Sequence, residues 1–176
     1  MEEQVRELAA RVEDRVLRWS ERWSGLEAKT RSRILGLIVA APSVVVLGIA
    51  AWLSPSPDGF GTHRQLGLAG CAVMTVSGWP CPMCGMTTTF ALMAEGRIPE
   101  AFYNQPFGVV LYGMTFASAI IGLIDAISGR SLLRTVAWML YPWERPIAAG
   151  LLIGLFAGWL WKSVLLHPDF FGWSSG

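Results

Sequence analysis

Residues 34–53 run for twenty positions without a single charge, and this restricts the fold more than any other property of the chain. A helix rises about 1.5 Å per residue, so about twenty apolar residues cover the ~30 Å of bilayer hydrocarbon. Residues 107–124 repeat the pattern and stop at Asp125. Residues 147–166 repeat it again, broken only by Lys162 near the far end, where a long stem carries the ammonium toward the interface. Charged residues make up 15% of the chain, against about a quarter in an average soluble domain. The expected fold is an all-α integral membrane protein with three transmembrane helices. An amphipathic helix precedes them, and a cysteine-containing helical hairpin, re-entrant or interfacial, joins the first span to the second. Residues 1–33 then form a cytoplasmic amphipathic helix and residues 34–176 the membrane domain, with spans at about 34–53, 107–124 and 147–166 and the hairpin at about 62–105.

The first thirty residues carry Val5, Leu8, Val12, Val16, Trp19, Trp23 and Leu26 on one helical stripe, spaced by threes and fours. Glu2 with Arg6, Glu7 with Arg11 and Asp14 with Arg18 place an acid four residues before a base, the favourable order. Two tryptophans on the stripe suit a membrane interface or docking on the protein's own face better than a zipper seam. The stretch starts acidic and lacks an apolar core, so it does not read as a signal peptide.

Basic residues set the expected orientation. Lys29, Arg31 and Arg33 stand before the first span, and Arg130, Arg134 and Arg145 lie in the loop between the second and third. By the positive-inside rule these positions are cytoplasmic, which puts the C-terminus and the cysteine motif on the outer side of a bacterial inner membrane. Residues 66–79 and 86–94 are apolar but too short to span, and a crossing of 66–94 as one broken helix would put the arginine loop outside, so the charges favour three crossings. Gly122, Gly150, Gly154 and Gly158 provide small-residue spacings suited to close packing within a three-helix bundle.

The chain concentrates its unusual residues in residues 78–89, Gly-Trp-Pro-Cys-Pro-Met-Cys-Gly-Met-Thr-Thr-Thr. Proline fixes φ and glycine permits close approach, so this run holds Cys81 and Cys84 on a rigid backbone. Pro82 suits the first position of a helix running to Glu95, with Cys81 as its cap and Gly96 closing it. Together with His63, Leu66-Gly67-Leu68, Cys71, Gly96, Ala101, Pro106 and Gly108, the motif resembles a bacterial integral-membrane family of unknown function (DUF2752-like) with a CPxCGxT signature. The resemblance covers about residues 63–108 and implies a membrane address but no activity.

The residues leave three uses for the thiols open. Cys81, Cys84, Cys71 and His63 have the composition of a Cys₃His zinc set, although one C-x-x-C with a distant Cys and His is looser than paired knuckles. A C-x-x-C at a helix start also suits thiol–disulfide exchange, with Cys81 as nucleophile and Cys84 as resolving thiol. Alternatively the run is structural, with small apolar sulfurs and Thr87, Thr88 and Thr89 bonding back to the preceding turn. No hydrolase constellation and no nucleic-acid surface can be assembled; His63 and His167 are the two histidines. The expected function is a binding or assembly module with a Cys/His cluster suited to zinc, in contact with the lipid bilayer and a membrane or periplasmic protein partner. A membrane thiol–disulfide oxidoreductase using Cys81 and Cys84 is the alternative, so whether the protein is an enzyme stays open.

Overall fold

A computed structural model describes residues 4, 6–7, 11–16, 18, 25–167 and 170. Among these residues the structure is helical and contains no strand. The described residues before Gly25 are helical, and two of the expected ion pairs form there, Glu7–Arg11 at 3.7 Å and Asp14–Arg18 at 2.5 Å. Val5, Leu8, Trp19 and Trp23 lie outside the described residues, as does Glu2.

Helix α1 covers Ala28–Trp52 and passes through Pro42 without a break. After a turn-rich stretch and a 3-10 turn at Thr62–Leu66 come three short helices, α2 at Ala72–Ser77, α3 at Met86–Ala94 and α4 at Ile98–Asn104. Helix α5 covers Pro106–Ser128. Helix α6, Leu132–Leu140, leads through a 3-10 turn at Tyr141–Trp143 into α7, Glu144–Leu166. Three segments are long and apolar enough to cross a membrane: Ala28–Trp52, Pro106–Ser128 and Leu132–Leu166. They match the three expected spans. Their most apolar stretches are only 17–22% buried inside the protein, so Leu37, Ile38, Val45, Leu152, Ile153 and Phe156 face outward. Water would penalise that much apolar surface, whereas hydrocarbon accommodates it, and the intrahelical hydrogen bonds satisfy the backbone there.

The third span departs from expectation at its start. The Arg130–Arg145 stretch is not simply a loop, because α6 occupies most of it. Gly129, with φ +69°, ends α5, and the buried Asp125 turns back to accept the N–H groups of Leu132 and Leu133 at 2.9 and 2.8 Å. These bonds satisfy two of the donors that a helix start leaves unpaired, so a charge counted as the end of a span acts as a cap for the next helix.

Helices α1 and α5 pack antiparallel through small residues. A Cβ on Gly36 would fall 2.5 Å from the Ala126 nitrogen, and one on Gly122 would fall 2.9 Å from the Ala40 nitrogen. Gly154 and Gly158 of α7 instead accommodate Phe107, while Gly150 meets nothing within 4 Å. Three of the four singled-out glycines therefore serve packing within the chain. At one end of the bundle Lys29 and Arg33 approach the end of α5, with the Arg33 guanidinium donating to the Ile127 carbonyl. The other end carries residues 54–105, including all three cysteines.

Candidate functional site

The cysteine run owes its shape to side chains that arrive from elsewhere in the chain. Residues 78–85 form no regular helix and leave carbonyls without helical partners, which must be satisfied if they are shielded from water. Trp159 of α7 donates its indole N–H to the Pro80 carbonyl at 2.8 Å. Gln105 reaches the Pro82 carbonyl at 3.5 Å, and His167 lies 3.0 Å from the Gly78 carbonyl while its ring packs on Trp79. Asn104 donates to the Gly85 carbonyl at 3.1 Å and to Thr89 Oγ1 at 2.9 Å. Its Oδ1 accepts from Lys162 Nζ at 2.6 Å, and Lys162 also donates to the Gly59 carbonyl at 2.9 Å. A single polar cluster thus joins loop 54–61, the cysteine turn, α3, α4 and α7.

Helix α3 begins later than the sequence suggests. Its cap is Gly85, in the left-handed region at φ +85°, and not Cys81. A Cβ at Gly85 would also fall 2.8 Å from the Gly59 oxygen, so both backbone conformation and space require glycine. Cys81 lies one turn earlier, in a tight turn where its carbonyl accepts the Cys84 N–H at 2.9 Å. The threonines also act differently from expectation. Thr88 shares a 2.8 Å hydrogen bond with Thr62, and Thr89 accepts from Asn104, so they link segments and do not bond back along their own turn.

Beneath these links lies a cavity of about 170 Å³ whose wall includes His63, Arg64, Cys71, Cys81, Cys84 and Thr88. All four candidate site residues meet there, though they do not converge on one point. Among the described residues, no three His, Cys, Asp or Glu side chains form a group that could hold a metal. His63 points its Nε2 to the Ala69 carbonyl, 3.1 Å away. As arranged, the Cys₃His set does not offer zinc the closed tetrahedron that it takes in structural sites.

The thiols are free and differ sharply in environment. Cys71 precedes α2, where the Met74 N–H holds its thiol below the ordinary value without forming a full capping bond. Cys81 is pushed up, first by burial and then by the side chain of Cys71, which lines the same cavity. Cys84 is buried, its Sγ is 4.0 Å from Met74 Sδ, and burial pushes it up to about 11. Cys81 therefore lacks the helix-start activation expected of it, because the helix starts beyond it. Cys71, ten positions earlier, lines the same cavity, as does Cys84, whose sulfur also packs against Met74. Asn104, Gln105, Trp159 and Lys162 were missed as site residues because each acts on a carbonyl, which leaves no mark in sequence. Pro106 belongs to the motif set read from the sequence, but its neighbour Gln105 carries no sign there of anchoring a carbonyl.

Fold and site together define a small α-helical membrane protein that holds a thiol-lined cavity at one end of its bundle. Residues 71–119 match the family described as Protein of unknown function (DUF2752), from Cys71 through the cysteine turn into α5. That segment is DUF2752-like, as the motif implied. No curated protein and no solved structure matches the chain.

Proposed function

We propose that the protein is a membrane thiol–disulfide exchange module in which Cys71 and Cys81 form the redox couple. The observation that carries this reading is the meeting of these two thiols in one cavity, one favoured as thiolate and the other as thiol. The Cys71 thiolate attacks a sulfur of a partner's disulfide, forming a mixed disulfide and expelling one partner thiolate. Cys81, as thiolate, then attacks Cys71 Sγ, releases the second partner thiolate and closes a Cys71–Cys81 bond. Two electrons pass to the partner, whose two thiolates take up the protons released by Cys71 and Cys81. The reverse sequence oxidises a partner dithiol.

The surroundings of the cavity support a binding role within the same reading. Met83 in its wall is exposed, as are Val73 and Val76 on α2, which contributes Met74 and Thr75 to that wall, and an apolar surface beside reactive thiols suits a docked protein partner. For location, we propose a bacterial inner membrane, with Lys29, Arg31, Arg33, Arg130, Arg134 and Arg145 cytoplasmic and the cysteine end on the outer, oxidising side. The test is trapping in cells. Cys81→Ser removes the resolving thiol, so a mixed disulfide through Cys71 should accumulate on non-reducing gels and disappear with reductant. Cys84→Ser should leave no such trap. A trap through Cys81 in the Cys84→Ser protein, with none in Cys81→Ser, would transfer the reaction to the C-x-x-C pair.

A further inference from the structure

Lys162 is the most unusual charge in the protein. It lies on a membrane-spanning helix, is only 3% exposed, and forms no ion pair with a carboxylate among the described residues. An ammonium offers three N–H donors. The fold takes up two, through the Gly59 carbonyl and Asn104 Oδ1, and both acceptors are neutral. Burying a positive charge without an opposite one is costly, and intramembrane charges usually mark a ligand or ion site.

Lys162 also forms part of the wall of a second cavity, about 490 Å³, within the size range of small-molecule pockets. Leu165 and Leu166 give it an apolar side at the end of α7, the level at which a spanning helix leaves the hydrocarbon. Tyr103 stands on the same wall, as suits the head-group layer. Asp58 and Glu100 complete its charged lining. Glu100 is already committed to Arg97, which donates two hydrogen bonds to its carboxylate, whereas Asp58 has no such partner among the described residues. A purely anionic ligand would satisfy Lys162 but meet repulsion from Asp58. A ligand with a phosphate at one end and a primary ammonium at the other satisfies both.

We propose that this cavity binds a phosphoethanolamine group, with phosphate at Lys162 and ammonium at Asp58, carried either on a membrane phospholipid or on a soluble molecule. The inference is independent of the thiol reading, because none of the cysteines lines this cavity. It is tested on the full chain in detergent micelles, titrated separately with phosphatidylethanolamine, phosphatidylglycerol and phosphatidylcholine, with bound lipid read by native mass spectrometry. Phosphatidylethanolamine should be retained most strongly, since glycerol has no ammonium and choline's quaternary nitrogen has no N–H to donate. Lys162→Met should lower its retention about tenfold, the equivalent of one charge-assisted hydrogen bond. Asp58→Asn, at an exposed position where folding is not at stake, should abolish the preference for ethanolamine over glycerol while retaining affinity for both. Binding of free phosphoethanolamine to lipid-free protein would assign a soluble ligand, and retention of the lipid alone would assign the membrane. Equal retention of the three lipids by the unaltered protein, or an unchanged preference in Asp58→Asn, would overturn the proposal.

Discussion

Cys71, Cys81 and Cys84 border one cavity, yet what each can do is set by a different neighbour. The Met74 N–H favours a thiolate at Cys71, burial and then Cys71 disfavour one at Cys81, and burial disfavours one at Cys84. A thiol pushed up to about 11 is ionised to about one part in a thousand at pH 8, and it alkylates only through that fraction. Timed alkylation of the reduced protein followed by peptide mass spectrometry should therefore modify Cys71 first, Cys81 next and Cys84 last. The sign follows from the shifts. A lowered value means that Cys71 reaches its full rate at a lower pH than free cysteine, while Cys84 continues to accelerate as pH rises toward 11. If Cys84 reacts first at pH 7, the assignment of environments fails. The cysteines and His63 were legible in sequence because their types are rare in apolar chains and Cys81-Pro82-Met83-Cys84 is compact. Their meeting in one cavity was not legible, since bringing Cys71 to the wall that holds Cys81 depends on how the chain turns after α2 at Gly78, with φ +74°.

Between elements, periodicity and length revealed the spans but not their contacts. Three charge-free runs were enough to define α1, α5 and α7, because hydrocarbon requires length and apolarity more than any particular residue. Helix α6 escaped notice because Arg130 and Arg134 read as loop charges, while the cap that starts it comes from Asp125 on the preceding helix. The glycines show the same contrast. Gly122 and Gly150 look alike in sequence, yet a Cβ at Gly122 meets backbone at 2.9 Å and one at Gly150 meets nothing within 4 Å. Gly122→Leu should destabilise the protein in detergent by about 1–3 kcal/mol, the usual cost of overpacking. Gly150→Leu should lie within about 0.5 kcal/mol of the parent, as expected for substitutions away from packed features. Equal thermal unfolding of the two variants would show that α1 and α5 do not depend on their close approach.

For the molecule as a whole, the fold separates a basic end from a cysteine end. Lys29 and Arg33 gather with Gly129 and Ile127 at one end, while the opposite end carries the thiol cavity and the Lys162 cluster. A chain with three crossings and this charge distribution should enter the membrane with the basic end cytoplasmic. Reporter fusions at Arg134 should be active only as cytoplasmic reporters and fusions at Leu166 only as external ones. The opposite pattern would place the thiols in a reducing compartment, where a stable disulfide is disfavoured. The polar cluster joining Gly59, Gly85, Asn104 and Lys162 was invisible in sequence because its members are separated by up to about a hundred residues and act through carbonyls. Through it the cysteine turn is hydrogen-bonded to α4, and α4 in turn to α7.

Which two sulfurs form the redox couple is tested most directly by disulfide mapping. Purified protein is oxidised mildly in micelles, its remaining thiols are blocked, and the cross-linked peptides are identified by mass spectrometry without reduction. The predicted result is one bond between Cys71 and Cys81, with the alkylating label on Cys84 once the protein is unfolded. A bond between Cys81 and Cys84, or three labelled thiols and no bond, would contradict it.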